Sequence, residues 1–63
     1  MFELKIETEN DAFVGRNGPL EIARILRVAA DRIEDLPNVR VIDMKLRDFN
    51  GNTVGKAEYT DGD

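Results

Sequence analysis

The 63-residue chain contains no histidine, cysteine, serine, tryptophan or glutamine, and these absences remove most of the side chains that carry enzyme chemistry. Nucleophilic catalysis is left with Thr8, Thr53, Thr60, lysines or carboxylates. General acid–base work near neutral pH would need a carboxylate or lysine shifted by a desolvated pocket, which so small a core can hardly enclose. The expectation is a protein that is not an enzyme and carries no cofactor. Without cysteine there is neither a disulfide framework nor a thiolate zinc site, so core packing alone must hold the fold, which suits a reducing cytoplasm. No apolar run approaches the roughly 20 residues a bilayer requires, so no membrane partner is expected. Met1 to Glu9 alternates charged and apolar residues instead of following a basic patch with an apolar block, and reads as a strand, not a signal peptide.

What is present describes one globular domain, residues 1–63. Apolar residues make up 41% of the chain and charged residues 35%, which excludes a disordered tail. A domain of this size buries only about 60% of the surface its unfolded chain exposes, so its stability margin is thin and association can add to it. The 13 acids outnumber the 9 bases, for a formal charge of −4. A protein that neutralises phosphates should present a basic face, so direct binding to nucleic acid is disfavoured.

The longest periodic stretch runs from Gly18 to Leu36. Ile22, Ile25, Leu26, Ala29, Ile33 and Leu36 recur at helical spacing and form one apolar band roughly 100° wide. Arg24, Arg27, Asp31, Arg32, Glu34 and Asp35 fill the other side, with Val28 the one large apolar residue among them. Gly18 as N-cap, Pro19 at the first helical position and Glu21 in the first turn mark the start, and Pro37 marks the end.

Phe2, Leu4 and Ile6 alternate with Glu3, Lys5 and Glu7, the period of a half-buried strand. Glu9 to Asn17 reads as a loop that tucks Phe13 and Val14 inward. After the helix, Val39 to Leu46 is a second extended run, and Asn50-Gly51 predicts a two-residue type I′ hairpin turn with Phe49 facing Asn52. Counting outward pairs Leu46 with Gly55, Met44 with Ala57 and Ile42 with Tyr59 on the core face, and Asp43 with Glu58 and Lys45 with Lys56 on the other. Val39, Val41 and Val54 do not fit the inward set; they lie on the open face, or a bulge near Val41 switches the register. The parts read β-α-β-β. A right-handed crossover leaves a gap that the third strand fills, giving an α+β fold with a three-stranded antiparallel sheet of order 1-3-2 and one helix across one face. The expected core is Phe2, Leu4, Ile6, Ile22, Ile25, Leu26, Ala29, Ile33, Leu36, Ile42, Met44, Leu46, Ala57 and Tyr59.

Three constellations bear on function. Asp48, Asn50 and Asn52 alternate around Gly51 like half of a calcium loop, but Tyr59 stands where the bidentate glutamate would be, and no metal site is expected. Arg16, Arg24, Arg27 and Arg32 form a basic strip that reads either as a weak nucleic-acid contact or as a solvated helix face with Arg27 and Asp31 paired. The topology also gathers acids at one end of the sheet: Glu3, then Asp31, Glu34 and Asp35 at the end of the helix, then Glu58, Asp61 and Asp63. Carboxylates there oppose the helix macrodipole by roughly 0.3–1 kcal/mol each, so this acidic end is the candidate partner-binding site. The competing reading is acids kept for solubility.

Leu46-Arg47-Asp48-Phe49-Asn50-Gly51-Asn52-Thr53-Val54-Gly55 resembles the L-R-D-x-N-G-N-x-V-G ending of small acidic phage and prophage proteins. Leu4-Lys5-Ile6-Glu7, Asn10-Asp11-Ala12-Phe13 and Glu21-Ile22-Ala23-Arg24-Ile25-Leu26 with Ala30-Asp31-Arg32-Ile33 are similar to that family's opening strand and its E-[IV]-A-R-I-L helix. The likeness spans nearly the whole chain, departing at Gly18, where Asp is frequent before the proline, and at Ala57, where an aromatic is frequent. Such phage sets include acidic anti-CRISPR proteins, of type I systems among others, some of which mimic DNA in charge. The resemblance therefore implies a phage-encoded inhibitor in the host cell cytoplasm that binds a host complex through a basic nucleic-acid-binding groove. The alternatives are a structural or assembly module that self-associates through its sheet, and the arginine-strip nucleic-acid binder. A monomer or a weak dimer is expected.

Overall fold

A computed structural model describes residues 1–37 and 39–62. Strand β1 (Phe2–Ile6), a 3-10 turn (Asp11–Phe13), helix α1 (Asn17–Glu34), strand β2 (Val41–Arg47) and strand β3 (Thr53–Thr60) follow in that order. The sheet is antiparallel with order β1-β3-β2. This is the β-α-β-β arrangement the periodicity predicts.

The helix begins slightly before Gly18 because Asn17 and Gly18 already donate to the Val14 and Gly15 carbonyls, at 3.1 and 3.2 Å. Pro19 then falls within the first turn, where an amide hydrogen is not needed. At the other end the helix stops at Glu34, two residues before the expected Leu36, with Asp35 as its C-cap; Asp35 still donates to Asp31, and Leu36 to Ile33 in a tighter turn, both at 3.1 Å. The core consists of Ala12, Phe13, Ile25, Ala29, Met44, Leu46, Val54 and Ala57, with Leu4, Ile6, Ile22, Ile33 and Ile42 packed around it. Tyr59 is half-buried.

Several core expectations are corrected. Leu26, Leu36 and Phe2 are exposed. With strands about 4.8 Å apart, a three-stranded sheet spans only about 10 Å, and it covers the central ridge of one helix rather than the full apolar band. Val14 is exposed where a tucked side chain was expected, whereas Phe13 is buried as anticipated, with Ala12 beside it.

The hairpin differs from the two-residue turn. Gly51 donates to the Asp48 carbonyl at 3.0 Å, and Asp48 donates to the Asn52 carbonyl at 2.9 Å, so Asp48, not Phe49, faces Asn52. Gly51 has φ 89°, and no residue other than glycine has positive φ among the described residues, which rules out a type I′ turn because that would require positive φ at Asn50 as well. The connection has three residues with a left-handed glycine at its end. A bulge between Leu46 and Arg47, opposite Val54, then restores the expected pairs of Leu46 with Gly55, Met44 with Ala57 and Ile42 with Tyr59. The shorter offset of the turn and the extra residue of the bulge cancel. The bulge lies at Val54 rather than near Val41, and it turns Val54 into the core while Val39 and Val41 stay exposed.

Candidate functional site

The structure divides the acidic set between the two faces of the sheet. Glu3 on β1 lies directly opposite Glu58 on β3, which lies opposite Asp43 on β2, so three exposed carboxylates form a row across the face away from the helix. The next row on that face is Lys5, Lys56 and Lys45. Two residues along a strand separate the rows by about 7 Å, and one ion pair spans them, Lys56 Nζ to Glu58 Oε1 at 3.6 Å. Asp43 thus belongs with the acids. It was legible in the hairpin register, which already set it against Glu58.

Asp31, Glu34 and Asp35 lie in the helix layer on the other side. All three are exposed, and none forms an ion pair among the described residues. Arg32, the base in the last helical turn, directs Nη1 to the Lys45 carbonyl at 3.2 Å. A cleft of about 440 Å³ at the helix end is lined by Asp35 and Leu36 together with Ile42 and Met44 of β2. Asp61, just past β3, pairs with Arg40 through Oδ2 to Nε at 3.7 Å and donates its amide hydrogen to the Arg40 carbonyl at 2.8 Å. Asp63 lies outside the described residues.

The opposite end of the molecule is fastened by two buried carboxylates. Glu21, expected in the first helical turn, lies just past it because the helix starts at Asn17; it accepts from Arg24 Nε at 2.8 Å and Nη2 at 2.7 Å, and from the Phe49 amide at 2.8 Å. The Arg24 hydrogen bond, reinforced by the Phe49 amide, holds the Glu21 carboxyl below its usual range against the opposing effect of burial. Asp48 is 4% exposed. Its Oδ1 accepts from the amides of Asn50 and Asn52, and its Oδ2 from the side chains of Asn10 and Asn52. Burial pushes Asp48 up, but these hydrogen bonds together bring it below the ordinary carboxylate value. Of the residues that resemble half a calcium loop, Asp48 has both carboxylate oxygens spent on closing the hairpin. No group of three or more His, Cys, Asp or Glu among the described residues is arranged to hold a metal ion.

The arginine strip is broken in the same way, since Arg24 also donates to the Arg47 carbonyl at 3.2 Å and Arg32 to Lys45. Arg27 and Asp31 do not pair; Arg24 pairs with Glu21 instead. Comparison of the chain with protein families, curated proteins and solved structures gives no match. No helix among the described residues is long and apolar enough to cross a membrane.

Proposed function

We propose that the chain is a non-enzymatic inhibitor of the anti-CRISPR kind, whose acidic helix end occupies a basic nucleic-acid-binding groove of a host defence complex in place of DNA. The observation that carries the reading is the exposed, unpaired trio Asp31, Glu34 and Asp35 at the helix C-terminus, where the macrodipole disfavours each by roughly 0.3–1 kcal/mol. The nearest helical base, Arg32, is turned toward the sheet edge instead of neutralising them. A surface that keeps this penalty gains by presenting its charge to a basic partner, with association that weakens as salt rises. The resemblance to acidic phage proteins supports the same reading.

The test is displacement of target DNA from a purified type I CRISPR effector complex by the full chain. Inhibition is expected to fall with added salt, and to fall far more on neutralising Glu34, Asp35, Glu58 and Asp61 together than on neutralising Glu7 and Glu9, exposed acids beyond the other end of β1. Glu34→Lys with Asp35→Lys should leave the melting temperature unchanged or slightly raised, because lysine suits a helix C-terminus, while inhibition is lost. Retained inhibition in that variant would reduce the two residues to solvated charges. A second reading, a self-associating assembly module, is favoured by one different observation, the bare edge of β1.

A further inference from the structure

The two edges of the sheet are treated differently. In an antiparallel ladder, main-chain groups of alternate residues point to alternate sides of the strand. The bond from the Asp61 amide to the Arg40 carbonyl sets the phase for β2: Ile42, Met44 and Leu46 bond to β3, while Val41, Asp43, Lys45 and Arg47 present their groups at the outer edge. Two of those outer carbonyls are capped, Lys45 by Arg32 and Arg47 by Arg24. On β1, the bonds from the Thr60 amide to the Met1 carbonyl and from the Glu7 amide to the Val54 carbonyl leave Phe2, Leu4 and Ile6 facing outward. No side chain among the described residues caps them. An uncapped edge is a template for another strand.

The residues along this edge fit one occupant. We propose that β1 pairs with β1 of a second copy of this chain, antiparallel, about a two-fold axis at Leu4. In that register Leu4 meets Leu4 and Phe2 meets Ile6 of the second copy. Glu3 meets Lys5 and Lys5 meets Glu3. The outward-facing residues Phe2, Leu4 and Ile6 are also the ones that fall opposite one another, so each such pair exchanges both its amide–carbonyl bonds without disturbing the β1–β3 ladder. The Phe2 side chain, 48% exposed, gains an apolar neighbour on the helix side. On the open face, the row Asp43-Glu58-Glu3 runs on into Lys5-Lys56-Lys45 of the second copy, so like charges inside each sheet meet opposite charges at the seam. The interface is the same patch on both copies and closes on itself, as a two-fold dimer requires. None of this depends on the acidic helix end, and the readouts below need no host partner.

Sedimentation equilibrium of the full chain over a wide concentration range should show a monomer–dimer equilibrium. Amide hydrogens of Leu4 and Ile6 should become protected from exchange as concentration rises, while those of Val41 and Asp43 should not. Glu3→Lys and Lys5→Glu each set like charges across the seam, and each variant alone should dimerise on the order of tenfold more weakly. Mixing the two single variants should give a heterodimer, and the double variant should recover the parent's association. The variants exchange exposed residues, and far-UV circular dichroism of each is expected to match that of the parent. A parent that sediments as a monomer at every concentration, or single variants that associate as the parent does, would overturn the proposal. Concentration-dependent protection at Val41 and Asp43 would move the contact to the other edge and overturn it equally.

Discussion

At the scale of single residues, the charges that matter to the fold are the two that sequence patterning treats as ordinary. Glu21 reads as a first-turn acid and Asp48 as a turn residue. Each is buried because it supplies acceptors to backbone amides that a tight connection leaves without partners, Phe49 for Glu21 and Asn50 and Asn52 for Asp48. Both carboxyls titrate below their ordinary values of 4.5 and 3.8 when folded. A depressed folded value contributes stability that is fully present above the unfolded value and is lost as the pH falls through the folded one. The melting temperature should therefore hold steady from neutral pH down to the ordinary values and fall below them. Glu21→Gln together with Asp48→Asn should lower the melting temperature at neutral pH and flatten that acid limb. An unchanged acid limb in the double variant would mean that other carboxyls govern the acid sensitivity.

Among the elements, the hairpin shows both what patterning resolves and where it stops. Alternation along β1, the helical period of Ile22, Ile25, Ala29 and Ile33, and the handedness of the crossover lead to the observed topology, because the first two are repeats spread over many residues and the third is a general rule of chain chirality. The turn depends on a single backbone angle. Asn50-Gly51 correctly marks a left-handed glycine but not the number of residues that share the loop, and the bulge at Val54 has no separate sequence signal. Gly51→Val is expected to destabilise the fold by about 1–2 kcal/mol, because a β-branched residue is strained at positive φ. Denaturant titration checks this without any binding partner, and an unchanged midpoint would contradict the turn. Gly55 is constrained differently, since a Cβ there would lie 1.9 Å from the Lys5 carbonyl oxygen, a close approach of β1 and β3 that pairing alone does not reveal. The acidic end was legible as a direction along the sheet. Its division into Glu3, Glu58 and Asp43 on one face and Asp31, Glu34 and Asp35 on the other follows only once the helix is laid over its side of the sheet.

For the whole molecule, the decisive feature is that β3 lies between two strands that do not touch each other. Tyr59, the one tyrosine in a chain without tryptophan, sits on β3 opposite both Phe2 and Ile42, so its emission reports on both halves of the sheet. Thermal unfolding followed by tyrosine fluorescence and by far-UV circular dichroism should give coincident transitions, as a small cooperative domain requires. Separate midpoints would show β1 or β2 leaving the sheet independently. The same arrangement governs what happens during synthesis. The middle strand is the last of the three to be made, so β1 and β2 emerge from the ribosome with nothing to pair with, and the helix has no finished sheet to lie on. Folding waits for residues 53–60 and then joins segments far apart in sequence. Until then the nascent chain carries an apolar helix face and two bare strands, the state in which it most needs shielding from other chains.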